Sequence, residues 1–555
     1  MGQTLSKRTI RDLIYSSFEA FPDQNALAMV GDTPFTYSDI KELVHQISKV
    51  LQWKKLKKGD RVAILAENSP LWGAAYFAIV TSGRVVVPIL TEFHPTQIHH
   101  IIRNSGARLL FTTKKMASKL EDGKLGQLEC ILSLDDFEFR VDGCDSNTLT
   151  KAVVAAETGV KKFEEYPREE DDLACIIYTS GTTGNSKGVM LTHKNIVSNV
   201  LSVSQIISVS TEDRLLSILP LSHAYEASMG FLAALYFGAT IYYIEGLPTA
   251  MTLLPAMQKV KPTIILSVPL IMEKIYKKKV LAEINKKPLT RELYKFSVFR
   301  KLLNKLAGKK LLEAFGGGIR FFVFGGAAIS PDVENFMREA KIPYTTGYGL
   351  TEASPLLAAN PLEKVKVSST GPAVPEVTLK IVDRDPITGI GEIYAKGPNI
   401  MPGYFNNPVV SKEVLTDDGW LITGDRGYLD EEGYLFIKGR SKNVIVGSNG
   451  ENIYPEEIEE ILNESSYVME SLVLGRDRKI IAKVYLDYDV LDLEFSKQNL
   501  TESEIRTRIN NLLQDLKHVV NKRVAGFSKI HEIYEQPEPF QKTPTKKIKR
   551  YLYKI

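Results

Sequence analysis

Short apolar runs alternate with helical patterns along most of this chain, and that alternation constrains its fold more than any other feature. Residues 62–66 are apolar, Asn68 and Ser69 follow as candidate helix caps, a helical stretch continues to Ile79, and Val85-Val86-Val87 is apolar again. Strand, helix and strand in this order make a βαβ unit, whose crossover requires a parallel, buried sheet. The runs Leu109-Leu110-Phe111, 241–244, Ile264-Ile265-Leu266 and 321–324 repeat the style, so an α/β architecture with mostly parallel sheets is predicted. After about Lys438 the texture changes. Residues 456–462 and 505–520 have helical spacing, while 471–474 and 480–486 read as paired strands. This predicts a large multi-subdomain α/β region over 1–438 and a small, mobile α+β domain over 439–555. No repeat and no long Pro- or Ser-rich linker divides them, so the boundary is expected to be a hinge of a few residues.

At 555 residues the chain has length for roughly three to four domain-sized units. Its net charge of +4 is too small over that length to indicate a nucleic-acid partner, so local clusters must carry any electrostatic argument. Cys130, Cys144 and Cys175 lack C-x-x-C spacing, which argues against a disulfide framework or a zinc site and fits a reducing, cytoplasmic location. Neither a cleavable signal pattern nor an apolar stretch long enough to span a bilayer is present. The opening Met1-Gly2-Gln3-Thr4-Leu5-Ser6 matches the myristoylation consensus, a short pattern that requires a eukaryotic setting. No feature of the chain specifies an oligomeric state.

Directly after the apolar Leu173-Ala174-Cys175-Ile176-Ile177 comes Tyr178-Thr179-Ser180-Gly181-Thr182-Thr183-Gly184-Asn185-Ser186-Lys187-Gly188. Glycines let backbone amides approach an anion, hydroxyls add donors and lysine adds a point charge. The segment is either a glycine-rich turn or a phosphate-binding loop at a strand's carboxyl end. Its spacing is not that of the usual G-x-x-x-x-G-K-[ST] loop. Farther along stand Gly325-Gly326-Ala327-Ala328, Gly347-Tyr348-Gly349-Leu350-Thr351-Glu352, Trp420-Leu421-Ile422-Thr423-Gly424-Asp425, Lys438-Gly439-Arg440-Ser441-Lys442 and Lys542-Thr543-Pro544-Thr545-Lys546-Lys547-Ile548-Lys549-Arg550. Taken singly, these are tight turns, a cap residue and a solvated basic terminus.

In this order, however, the segments resemble the adenylate-forming (AMP-binding) superfamily, most nearly a bacterial-type long-chain fatty acid–CoA ligase, and the similarity extends over essentially the whole chain. The resemblance implies that Thr179, Ser180, Gly181, Thr182, Thr183, Gly184 and Lys187 hold the phosphates of ATP that will leave. It implies that Gly325, Gly326 and Ala327 line the adenine, that Tyr348 stacks on it, and that Thr351 bonds phosphate. Glu352, with Thr183, would hold Mg²⁺; Asp425 would accept both ribose hydroxyls and Arg440 would contact the nucleotide. Lys442 is the implied hinge, and Gly447, Ser448, Asn449 and Gly450 the implied wall of the coenzyme A tunnel. Lys547 aligns with the catalytic lysine of the family's P-T-G-K-I-x-R-like tail, with Lys546 standing where glycine is frequent.

His223, within Pro220-Leu221-Ser222-His223-Ala224-Tyr225-Glu226, is placed by the same resemblance beside the carboxylate pocket as a gate for the acyl group. The Tyr-Glu pair is closer to long-chain synthetases than to acetyl-CoA or peptide-synthetase forms. The implied activity takes ATP, a fatty acid and coenzyme A through acyl-AMP to acyl-CoA. Two alternatives are an acyl-AMP ligase that delivers to an acyl carrier protein or another acceptor, and a non-catalytic acyl- or nucleotide-binding protein of the same fold. The presence of Glu352 and Lys547 weighs against the second. Residues 274–310 are rich in lysine and arginine, with Leu293, Phe296, Phe299, Leu303 and Leu306 spaced for one helical face. That face is either packed on the parent domain or a basic amphipathic surface resting on anionic lipid.

Overall fold

The predicted βαβ unit forms: strands Arg61–Leu65 and Val85–Pro88 pair in parallel, with Val62 opposite Val86. Of the two candidate caps, Ser69 takes the position, its Oγ accepting from the Trp72 amide at 3.1 Å at the start of helix Pro70–Thr81. Asn68 instead donates its amide to Ser217 Oγ and the Leu219 carbonyl, tying two sheets together. The helix is apolar on all sides, as a wholly buried helix must be. Trp72 and Phe77 both pack on Phe231, and the helix touches strands of both large sheets.

This structure is a computed structural model that describes residues 5–120, 125–135, 138–141, 144–148, 166–179, 186–246, 248–446, 451–476, 479–495, 500–543 and 547–553. Two large sheets dominate it. The eight-stranded sheet runs Leu356–Ala359, Tyr344–Gly349, Phe321–Phe324, Ile264–Ser267, Arg214–Ser217, Thr240–Tyr243, Asn25–Met29, Phe35–Thr36, and only its two edge strands are antiparallel. The nine-stranded sheet centres on Leu173–Thr179, Val85–Pro88, Arg61–Leu65, Leu109–Thr112 and Cys130–Ser133, all parallel to their neighbours in that order. Consecutive β-branched and aromatic residues fill these strands because both faces are covered.

A four-stranded antiparallel sheet, Thr378–Val382, Gly391–Lys396, Leu421–Leu429 and Leu435–Arg440, was not foreseen from the sequence. From Ile453 onward the chain builds a separate core around Leu462, Val473, Val484 and Leu513. Its elements include helix Pro455–Asn463, the antiparallel pair Val468–Arg476 and Lys479–Leu486, helix Tyr488–Phe495, helix Glu502–Arg523 and the parallel strand Glu532–Glu535. These bracket the two helices and two strands expected there.

Candidate active site

The carboxyl ends of the parallel strands Arg214–Ser217, Ile264–Ser267, Phe321–Phe324 and Tyr344–Gly349 point to one edge of the molecule, where open α/β sheets bind ligands. Gly325, Gly326 and Ala327 leave the third of these strands. The Tyr225 ring lies against Gly325 and its hydroxyl donates to the Val323 carbonyl at 2.9 Å. The next strand carries Tyr348 and ends at Gly349, where any Cβ would stand 1.9 Å from the Pro355 carbonyl oxygen. Only glycine fits this turn, and the turn delivers Thr351 and Glu352 in the short 3₁₀ segment Thr351–Ala353. Two buried amides hold it: Asn199 and Asn399 each donate to the carbonyls of Ala353 and Leu356.

Tyr348, Asp425 and Arg440 form one unit. The Tyr348 hydroxyl donates to Asp425 Oδ2 at 2.7 Å, and Arg440 Nε lies 3.0 Å from Asp425 Oδ1. Asp425 and Arg440 are cross-strand partners, so the ladder itself sets their distance. The buried carboxylate is thereby satisfied on both oxygens. Glu352 Oε1 accepts from the Tyr404 hydroxyl at 2.8 Å. Tyr404 pairs with Val189, and the Lys187 ammonium lies 5.4 Å from the Tyr404 ring centroid. The strands on either side of the glycine-rich segment, Leu173–Thr179 and Lys187–Thr192, pair antiparallel with Thr179 opposite Lys187. A strand-to-helix P-loop has another geometry. Ser180, Gly181, Thr182, Thr183 and Gly184 lie outside the described residues, as do Gly447, Ser448, Asn449 and Gly450.

Lys547 comes to the same place from the far end of the chain. Its surface is open to solvent, yet surrounding protein lowers its ammonium from the ordinary lysine value; Arg440 lowers it further, while Asp425 and Glu352 oppose. The segment is pinned on both sides. Thr543 N donates to the Lys547 carbonyl at 2.8 Å, and Arg550 pairs with the partly buried Glu459 and donates to the Val473 carbonyl at 3.1 Å. Arg550 is a positioning residue that sequence reasoning used only to align the tail. Tyr404 and Tyr225 were not foreseen as neighbours of Glu352 and Gly325, because nothing local in the chain announces either contact.

His223 completes the group. Its imidazole is lowered to about 4 by burial first and by the Lys547 charge second, so it is neutral at pH 7. The Tyr225 amide donates to its Nδ1 at 3.3 Å, which places the ring proton on Nε2. Lys442 follows Arg440 in the 3₁₀ segment Ser441–Asn443 and is exposed. Among the described residues no group of three or more His, Cys, Asp or Glu could hold a metal. Glu352 alone, with water and substrate phosphates, is the oxygen donor set that magnesium takes in nucleotide sites.

The basic stretch divides in two. Lys277 donates to the carbonyls of Asn463, Ser465 and Val468, and Lys278 lies 3.6 Å from Asp487 and 3.5 Å from Asp489. Its first part therefore faces the C-terminal portion of the chain. The expected face of Leu293, Phe296, Phe299, Leu303 and Leu306 is also split: Leu293 and Leu303 are half-buried, while Phe296, Phe299 and Leu306 are exposed. Helix Ser297–Ala314 is rotated so that Asn304 and Gly308, small or hydrogen-bonded, meet its neighbour.

Comparison with known proteins agrees with this arrangement. Residues 15–405 match the family of AMP-binding enzymes, and 442–553 match the AMP-binding enzyme C-terminal domain. A 4-coumarate–CoA ligase of Pinus taeda is 28% identical over 537 residues, covering 94% of this chain and 89% of the relative. A peroxisomal long chain acyl-CoA synthetase 6 of Arabidopsis thaliana is 28% identical over 566 residues, covering 94% and 80%. The crystal structure of an anthranilate CoA ligase, AuaEII, with anthranoyl-AMP superposes with a TM-score of 0.79 over 98% of this chain and 96% of that one at 21% identity, which establishes a shared fold. The chain belongs to the AMP-binding enzyme family, the adenylate-forming superfamily, and its relatives are acyl-CoA ligases.

Proposed function

We propose that this protein is an AMP-forming fatty acid–CoA ligase acting on long chains, and that it works in two steps. The carboxylate attacks the α-phosphorus of ATP and pyrophosphate leaves, giving acyl-AMP; the thiol of coenzyme A then attacks the acyl carbonyl and AMP leaves. The observation that carries the reading is that Lys547 lies within electrostatic reach of Glu352, Asp425, Arg440 and His223, all from distant parts of the chain. Long chains are supported by the Tyr225-Glu226 pair and by the Arabidopsis relative, the carboxylate step by the anthranoyl-AMP of the solved neighbour.

Both nucleophiles come from substrates, so the protein contributes position and charge. Thr179, Ser180, Gly181, Thr182, Thr183, Gly184 and Lys187 hold the departing phosphates, and Thr351 adds a hydroxyl donor. Magnesium, when bound at Glu352 with Thr183, neutralises phosphate charge. Asp425 takes the ribose, Arg440 the nucleotide, and the Gly325-Gly326-Ala327 backbone with Tyr348 the adenine. Lys547 stabilises the charge gathering around the α-phosphate. Neutral His223 borders the carboxyl group without adding a second cation there. Between steps, residues 439–555 rotate about Lys442 on the 1–438 body, withdrawing Lys547 and bringing residues 447–450 to the pantetheine.

The test is pyrophosphate exchange across carboxylic acids from acetate to long-chain and aromatic acids, with acyl-CoA followed by mass spectrometry. Long-chain acids should be preferred and Lys547→Ala should lower the adenylation rate by roughly 10²-fold or more, with ATP affinity little changed. A preference for aromatic acids or acetate would overturn the chain-length reading. Full exchange in the Lys547 variant would overturn the lysine's role, and product appearing on an acyl carrier protein but not on coenzyme A would change the acceptor.

A further inference from the structure

The 289–306 region exposes several large apolar side chains. Leu289 is 71% exposed, Phe296 63%, Val298 75%, Leu302 55% and Leu306 54%. Val298, Leu302 and Leu306 repeat every four residues on helix Ser297–Ala314 and so stand in line. The row is not a frayed edge. The opposite side of the helix is anchored by Asn304, whose amide donates to Glu339 Oε2 at 2.7 Å and whose Oδ1 accepts from Tyr294, and by Gly308, where a Cβ would meet the Ala340 carbonyl oxygen at 2.4 Å. Ala307, Leu311 and Leu312 add apolar contact with the core on that side. The apolar row is therefore held outward by a firm seat.

Charge decides what the row meets. Residues 286–310 hold nine Lys or Arg and one acid, Glu292. Lys286, Lys295 and Lys309 have acidic neighbours at 2.5, 2.8 and 4.0 Å, but Lys301 and Lys305 flank Leu302 and Leu306 directly along the exposed side. A second copy of this chain would set the same basic face against itself, and like charge opposes that isologous pairing. A bilayer with anionic headgroups meets both requirements: the apolar side chains enter the headgroup boundary and the lysines meet phosphate.

We infer that the exposed face formed by Leu289, Phe296, Val298, Leu302 and Leu306, with Lys301 and Lys305, is a docking surface for an anionic membrane. The Lys277 and Lys278 part of the basic stretch is occupied with the C-terminal portion and does not belong to it. The segment is inserted between strands Ile264–Ser267 and Phe321–Phe324, whose carboxyl ends form the site, so docking fastens to the bilayer the subdomain that also carries Gly325. This inference goes beyond the proposed reaction and does not depend on which acid is activated.

The experiment is flotation of the full chain with vesicles of phosphatidylcholine alone and of phosphatidylcholine with phosphatidylglycerol, at low and high salt. The protein should float with the anionic vesicles, remain free with neutral ones, and be released by salt. Val298→Glu with Leu302→Glu should lower the bound-to-free ratio at least about tenfold. Both side chains are exposed, so the melting temperature and pyrophosphate exchange with a short, soluble acid should not move. Absence of flotation, or equal flotation of the variant, would overturn the inference. So would a dimer in sedimentation analysis that the same two substitutions dissolve, because the occupant would then be a second copy. Loss of exchange with every acid would strike the proposed reaction alone.

Discussion

Glu226→Gln should change how stability depends on pH, by an amount the structure sets. Glu226 lies at 2% exposure; its Oε1 accepts from Ser217 Oγ at 2.6 Å, and its Oε2 has no hydrogen-bond partner. The hydroxyl of Tyr243 is another buried atom without a partner. Gly230 leaves room for the carboxyl group, since a Cβ there would approach Glu226 Cδ to 2.7 Å. Among the described residues no cation offsets the burial, which raises the carboxyl from 4.5 to about 8 against a smaller opposing effect of the Ser217 hydrogen bond. The folded protein therefore holds a neutral acid where the unfolded chain holds a carboxylate. Between those two values unfolding releases a proton, so rising pH favours the unfolded state by about 1.4 kcal/mol per unit. From about pH 5.5 to 7.5 the wild type should lose roughly 3 kcal/mol that Glu226→Gln does not lose. Urea unfolding of both proteins at each pH, followed by fluorescence of the buried Trp72, gives the difference directly, and other titrating groups cancel in it. The glutamine variant should gain steadily on the wild type as pH rises. A difference independent of pH would show that Glu226 ionises normally and that the buried acid is reached by water.

Three further outcomes follow from the contacts around the C-terminal portion. Lys277→Met removes the ammonium held by the carbonyls of Asn463, Ser465 and Val468. Adenylation should slow roughly fivefold, about 1 kcal/mol, while thioester formation from supplied acyl-adenylate stays unchanged; equal loss in both half-reactions would count against a latch. If Lys442 is the proposed hinge, Lys442→Pro should spare pyrophosphate exchange and impair coenzyme A acylation, because proline fixes φ there, and stopped-flow measurement of the two steps distinguishes them. Arg550→Met strips the partly buried Glu459 of its guanidinium partner and should destabilise the region by about 2 kcal/mol while lowering exchange; Arg550→Lys should restore part of both, measured by calorimetry and exchange.

Legibility from sequence followed burial. The parallel strands were readable because residues buried on both faces make continuous apolar runs, and Phe321–Phe324 falls where its run predicts. Strand Leu421–Leu429 escaped notice for the opposite reason. Its inward positions alternate, but they include Thr423 and Asp425, polar groups whose burial is balanced by bonds to the Ile393 carbonyl, Tyr348 and Arg440. A pattern search for apolar alternation passes over such a strand. The motif residues themselves were legible through resemblance, yet the bonds of Glu352 to Tyr404 and of Arg550 to Glu459 join positions 52 and 91 residues apart, and no local pattern encodes them. The basic stretch was legible as composition and helical spacing; which lysines face protein and which face outward was decided by helix rotation.

The triad of Tyr348, Asp425 and Arg440 has a bearing on nucleotide selection. The aspartate accepts one donor on each oxygen, the Tyr348 phenol and the Arg440 guanidinium, and keeps a further lone pair on each. On the proposed reading the ribose hydroxyls join or replace bonds that the protein already makes to itself, so the net gain at this position is modest. A 2′-deoxynucleotide can leave Tyr348 or Arg440 where it stands and strand no buried charge. The enzyme should therefore tolerate deoxyadenosine triphosphate far better than a site whose aspartate waits unpaired, and its discrimination among nucleotides should rest on the base and the phosphates.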